Sequence, residues 1–157
     1  MLGAESRPDL PAPALTDTTP DPRAHALLAA ALAARTHAHA PYSRFAVGAA
    51  LMDEHGRIHA GCNVENAAYP EGLCAEAVAL GALVLAGGTR VTAALVAADA
   101  PRPITPCGGC RQKLREFAAG EVPVWSADLQ AVTARHTLGE LLPAGFGPNH
   151  LNHLAPR

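Results

Sequence analysis

Three cysteines in two short segments constrain this chain more than any other feature. Cys74-Ala75-Glu76 and Pro106-Cys107-Gly108-Gly109-Cys110 each open a helical pattern. Thiolates are soft ligands that suit Zn²⁺. If one ion takes all three sulfurs, two helix starts from distant parts of the chain must meet. A closed structural zinc site takes four protein ligands, whereas a catalytic one takes three and keeps a position for water. Glu76 follows the first thiol by two residues. It is placed to act on that water as a general base and then as an acid.

The local chemistry agrees with that reading. Helix N-termini carry partial positive charge and free N–H groups, which favour thiolate over thiol. Cys-Gly-Gly-Cys spacing lets one helical turn present two sulfurs to one ion, and the glycines permit close backbone approach. A redox Cys-x-x-Cys would leave Cys74 and Glu76 without a role. A closed structural site would need Cys62 as its fourth ligand and would leave Glu76 unexplained. Cys62 is read instead as a small buried hydrophobe.

The 157 residues suffice for one domain with a real core. Aromatics are only 4% of the chain, so Ala, Leu and Val must supply that core. The formal charge is -2 and no Lys/Arg run appears, which argues against a nucleic-acid footprint. No apolar run reaches transmembrane length, and the N-terminus lacks the apolar stretch of a secretory signal. Four cysteines without such a signal fit a reducing, cytoplasmic setting.

Residues 1–20 are Pro-rich and aperiodic and read as a disordered tail. A helix is expected from Asp21-Pro22 to before Pro41, with His37 and His39 solvated near its end. Strands follow at 46–52 and 57–64 as a hairpin around a 53–56 turn, with His55 exposed and His59 on a sheet face. The polar loop 63–73 leads into a helix over 74–86. Next come a strand at 92–98, a Pro-rich loop, a helix from Cys107 to about Ala119, and a strand at 122–127. A weaker strand at 132–136 and a short helix at 137–142 precede a tail over 148–157, with His150 and His153 exposed. This order predicts an α/β fold, with one mixed sheet of about five strands in a three-layer α-β-α sandwich. The 92–127 unit should be a right-handed parallel crossover.

A Cys-x-Glu segment followed by Pro-Cys-x-x-Cys is an established signature of zinc deaminases. Longer blocks narrow the likeness: Pro41-Tyr42-Ser43-Arg44-Phe45-Ala46-Val47-Gly48, Gly61-Cys62-Asn63-Val64-Glu65-Asn66-Ala67-Ala68-Tyr69, and Glu140-Leu141-Leu142-Pro143-Ala144-Gly145-Phe146. With these blocks the chain resembles the small homotetrameric cytidine deaminases over roughly residues 24–147. The resemblance implies one Zn²⁺ per subunit on Cys74, Cys107 and Cys110, with Glu76 as proton shuttle. It implies that Asn63 and Glu65 hold the ribose 3′-hydroxyl and that Phe45 packs on the base. Tyr69 and Ala75 belong to the same substrate pocket, and Phe146 reaches a neighbouring subunit's site. It thus implies a homotetramer with shared active sites, acting on a small nucleoside in pyrimidine salvage.

Many such relatives carry Arg after Cys-Ala-Glu, where it donates to the thiolates; this chain has Ala77. Arg111, with helix N–H groups, is the expected substitute for thiolate charge balance. The expected activity is deamination of free cytidine and deoxycytidine. The alternatives are a blasticidin-S-type deaminase, a nucleic-acid base editor, and a non-enzymatic zinc module using Cys62.

Overall fold

A computed structural model describes residues 21–151. The expected tail at 1–20 and the residues from 152 onward, His153 included, lie outside that range. Asp21 caps the first helix, α1 (Pro22–Arg35), accepting the Arg23 N–H at 2.9 Å. Proline tolerates the first helical position because its missing N–H has no partner there. Ala24, Leu27, Leu28 and Ala31 form the buried face. The helix stops at Arg35, so His37 and His39 lie beyond it. His39 instead joins the chain to the loop after β2, pairing by backbone with Asn63 and Glu65.

Five strands form one mixed sheet in the order β2-β1-β3-β4-β5. They are β1 (Val47–Asp53), β2 (Ile58–Cys62), β3 (Val91–Ala98), β4 (Pro123–Ala127) and β5 (Val132–Thr137). β1 pairs antiparallel with β2 and β3, β3 pairs parallel with β4, and β4 pairs antiparallel with β5. Consecutive β1 residues serve opposite faces, as the pleat requires. Ala50 joins Leu27, Leu28, Leu95 and Trp125 beneath α1. Ala49 and Leu51 join Ala79, Leu83 and Leu114, the inner faces of α2 (Ala75–Leu85) and α3 (Gly108–Phe117). The result is the expected α-β-α sandwich. Each fully buried Leu contributes about 1.5–3 kcal/mol through apolar burial. Gly61 lets α2 lie directly on β2, since a Cβ there would meet Ala79 N at 2.5 Å.

β1 runs one residue further than its apolar pattern, to Asp53, which is 1% exposed. Its Oδ1 accepts the N–H groups of His55 and Arg57, both at 2.9 Å. Its Oδ2 lies 2.7 Å from Arg57 Nε and 2.9 Å from His59 Nε2. His59, read as a sheet-face residue, is therefore also a partner of this carboxylate. Gly56, at φ 76°, closes the turn in a conformation glycine adopts without penalty. Beside it, Glu54 accepts from Thr89 N at 3.0 Å, Thr89 Oγ1 at 2.7 Å and Arg90 N at 3.1 Å. This network closes one end of the sheet.

The other end stays open. There β1 begins, β2 and β3 finish, and the first turns of α2 and α3 converge. After β5, Thr137 and Glu140 form a capping box on α4 (Leu138–Leu141). The expected C-terminal tail contains a 3₁₀ turn at Pro148–His150, and His150 stacks on Phe146 at 4.9 Å. Among the described residues, no helix is long and apolar enough to cross a membrane.

Candidate active site

Cys74 and Cys107 occupy the N-cap positions of α2 and α3. Neither side chain caps its own helix, so both sulfurs turn towards the space between the two helices. Cys110, one turn into α3, is buried. The three sulfurs lie within 4.8 Å of one another, and Cys74 Sγ and Cys107 Sγ are 3.8 Å apart. A tetrahedral zinc about 2.3 Å from each sulfur sets its ligands roughly 3.8 Å apart. The cluster therefore has the spacing of a metal centre, and Cys74, Cys107 and Cys110 are positioned to hold one ion. Cys62 is not part of it, so the fourth thiolate of a closed site is missing.

Proximity and burial separate the three thiols. Burial pushes Cys110 well up, and neighbouring Glu76 adds to this. Burial also raises Cys74, reinforced by its hydrogen bond with Cys107. At Cys107 burial acts upward too, but the Cys110 N–H and the neighbouring thiols outweigh it, and the net direction is down.

Glu76 sits in the first turn of α2 and is 6% exposed. Burial raises its pKa and outweighs its own backbone N–H, the Cys110 thiol and the charge of Lys113, all of which act downward. A carboxyl with a raised pKa is suited to both taking and giving a proton near neutrality.

A cavity of about 730 Å³ opens over this floor. Cys74, Ala75, Glu76 and Cys107 form its base, and Val96, Ile104 and Thr105 close one side. Phe45, Asn63, Glu65 and Tyr69 line the other, beside Tyr42 and Ser43. The wall is built by two polar side chains. Asn63 Oδ1 accepts from Val47 N at 2.8 Å, and its Nδ2 donates to Phe45 O at 2.9 Å. Glu65 Oε2 accepts from Tyr42 N at 2.9 Å and Ser43 N at 3.2 Å. The Ser43 hydroxyl, joined by these two N–H groups, lowers the Glu65 pKa against an opposing effect of burial. These bonds also hold the turn in which Arg44 takes φ 58°, a region non-glycine residues seldom enter. Tyr69 stands at the rim, 77% exposed, edge-on to Tyr42 at 5.9 Å.

Most site residues expected from sequence thus line one cavity. Buried Cys110 joins them only through the sulfur cluster, and Phe146 and Arg111 stand outside the lining. Phe146 lies outside it, with its carbonyl held by Gln112 Nε2 at 2.9 Å. Arg111 spends its donors on oxygens: Nε on Pro106 O at 2.6 Å, Nη1 on Leu141 O at 2.8 Å, and Nη2 on Thr105 Oγ1 at 2.8 Å. It ties the loop before Cys107 to the C-terminal segment. The sequence reading assigned no role to Ile104 or Thr105. Their position just ahead of the Pro106-Cys107 step was the available signal.

Known proteins give the same picture. Residues 22–126 match a family described as the cytidine and deoxycytidylate deaminase zinc-binding region. A cytidine deaminase of Sporosarcina psychrophila is 42% identical over 129 residues, covering 82% of this chain and 95% of its own length. A crystal structure of cytidine deaminase from Burkholderia pseudomallei superimposes with a TM-score of 0.74 at 43% identity, over 78% of this chain and 98% of that one. The Mycobacterium tuberculosis cytidine deaminase structure gives 0.69 at 40% identity, over 78% and 96%. With the family match over residues 22–126 and these relatives at 40% identity or more along most of their length, the chain belongs to the cytidine and deoxycytidylate deaminase zinc-binding family.

Proposed function

We propose that this protein hydrolyses free cytidine and deoxycytidine to uridine and deoxyuridine, releasing ammonia. The observation that carries this reading is a buried carboxyl beside a three-sulfur centre, at the floor of a cavity large enough for a nucleoside. Cys74, Cys107 and Cys110 would hold the zinc, which would supply an activated water with its pKa brought towards neutrality. Glu76 takes one proton from that water and delivers it to a ring nitrogen, then takes the second from the hydroxyl added to the carbon and gives it to the departing amine. Oxygen adds to the amine-bearing carbon, the C–N bond breaks, and a carbonyl remains.

The walls orient the substrate. Asn63 keeps one Nδ2 hydrogen, and Glu65 keeps Oε1, after their bonds to the backbone. Both then serve the ribose 3′-hydroxyl, while Phe45 packs on the base and Ala75 and Tyr69 border it. The working form is a cytoplasmic homotetramer with one zinc per subunit, its catalytic domain spanning 21–147. Phe146, half-exposed and outside its own chain's cavity, reaches the site of a neighbouring copy.

The test is ammonia release by purified, zinc-loaded protein offered cytidine, deoxycytidine and blasticidin S in parallel. Turnover of either nucleoside is expected. Turnover of blasticidin S alone would keep the chemistry and overturn the roles of Asn63 and Glu65. No turnover by folded, zinc-loaded protein would overturn the enzymatic reading.

A further inference from the structure

The centre poses a charge problem that the nearest residues leave open. Three thiolates and one Zn²⁺ sum to minus one, and Glu76 adds a carboxyl at their side. Compared with three neutral thiols, the loaded centre is one unit more negative, so a nearby cation favours the loaded form. Ala77 contributes only its N–H, which goes to Cys74 O at 3.0 Å. Arg111 keeps its charge but directs three of its N–H groups to neutral oxygens of Pro106, Thr105 and Leu141 rather than to the sulfurs.

Lys113 is placed differently. Helical side chains lean towards the N-terminus and cover the preceding turn. Here that turn contains Gly109, which lies between Cys107 and Cys110. A Cβ at Gly109 would stand 3.6 Å from Lys113 Nζ. The ammonium therefore rests over the bare first turn of α3, against the segment that presents two of the three sulfurs. Among the described residues, Lys113 forms no salt bridge that would commit its charge elsewhere.

We propose that Lys113 is a positioning residue of the metal centre: its ammonium, folded over Gly109, offsets the negative charge of the three-thiolate site and strengthens zinc retention. This rests on the zinc-centre reading given above. The expected size is modest because Lys113 is exposed and water screens it.

Zinc affinity, measured by competition with a chromophoric chelator, tests this without recourse to activity. Lys113→Met and Lys113→Gln should each raise the zinc dissociation constant about threefold to tenfold. Lys113→Arg should stay within about twofold of wild type, because it keeps the charge. The gap between Lys113→Met and wild type should narrow as salt rises, since the interaction is screened over about 10 Å at 0.1 M. Unchanged affinity in both neutral variants would overturn the proposal. So would equal losses in Lys113→Met and Lys113→Arg, or a loss indifferent to salt, because either would mark packing rather than charge. Wild-type protein that takes up zinc but releases no ammonia would sink the substrate reading alone. Wild-type protein that takes up no zinc would sink both.

Discussion

Among the described residues two carboxyl groups are buried, at opposite ends of one sheet, and they have opposite fates. Asp53 is fully enclosed yet held well below the usual carboxylate range. Burial acts upward on it but loses to His59, Arg57 and two backbone N–H groups. Glu76 is as deeply placed, and burial wins: its pKa is raised. The difference lies in satisfaction of the charged form. Four partners surround Asp53, so it stays ionised and acts as a clasp for the hairpin. Glu76 has only its own backbone N–H, a thiol and a distant ammonium, and it faces the cavity. Burial alone does not make an acid–base group; burial that leaves the charge under-compensated beside a reacting centre does.

The largest effect should separate the two in kinetics. Glu76→Gln should lower kcat for cytidine by about 10²–10⁴-fold. Zinc content, measured by atomic emission, should not change, because the sulfurs supply the ligands. Asp53→Asn should leave turnover by the folded protein within about twofold of wild type, a change of under 1 kcal/mol in the barrier. A large kcat loss in Asp53→Asn at full folding would break the comparison. It would mean that the clasp reaches the open end of the sheet.

Stability should reverse the ranking. Asp53→Asn leaves Arg57 and His59 facing a neutral amide that cannot match four donors, so Tm should fall by several degrees. Glu76→Gln removes an acid whose burial already opposes its charge, so Tm in the presence of chelator should hold or rise slightly. Calorimetry of both variants with and without chelator checks this. A lower Tm for Glu76→Gln than for Asp53→Asn would show that the site glutamate also supports the fold.

Sequence showed one end of the sheet better than the other, for physical reasons. Thiols at Cys74, Cys107 and Cys110 have few uses together, so their spacing alone demanded that two helix starts meet. The apolar run 92–98 announced a buried strand, found at Val91–Ala98, and the strand expected at 122–127 starts at Pro123. The weaker reading at 132–136 proved a full partner of β4, because an edge strand can expose Thr133 and Arg135 without cost. Asp53 was read as turn chemistry, since nothing local shows that His59 folds back onto it from across the hairpin. The bonds of Arg111 were hidden because Leu141 returns to α3 only through the tertiary fold. Nothing in the sequence sets Lys113 apart from other helix-surface lysines; its ammonium's place over Gly109, which has no side chain, does.

The smallest effect concerns Glu54, next to Asp53 at the closed end. The Thr89 hydroxyl, with nearby N–H groups including those of Thr89 and Arg90, brings its pKa down to about 2 from 4.5, against a smaller upward effect of burial. A carboxyl whose folded pKa is depressed stabilises the fold fully above its unfolded value and loses that contribution as pH falls through the folded one. The window therefore runs from about pH 4.5 down to about pH 2. Glu54→Gln should be less stable than wild type in urea melts near neutrality, because an amide offers one acceptor oxygen to the donors at Thr89 and Arg90. The difference should shrink steadily below about pH 4.5, as protonation makes the wild-type side chain resemble the amide. Melts at matched ionic strength, taken at several values down to the acid limit of folding, give the slope directly. A difference that stays constant with pH would show that Glu54 contributes by shape rather than charge. The closed end would then owe its ionic character to Asp53 alone.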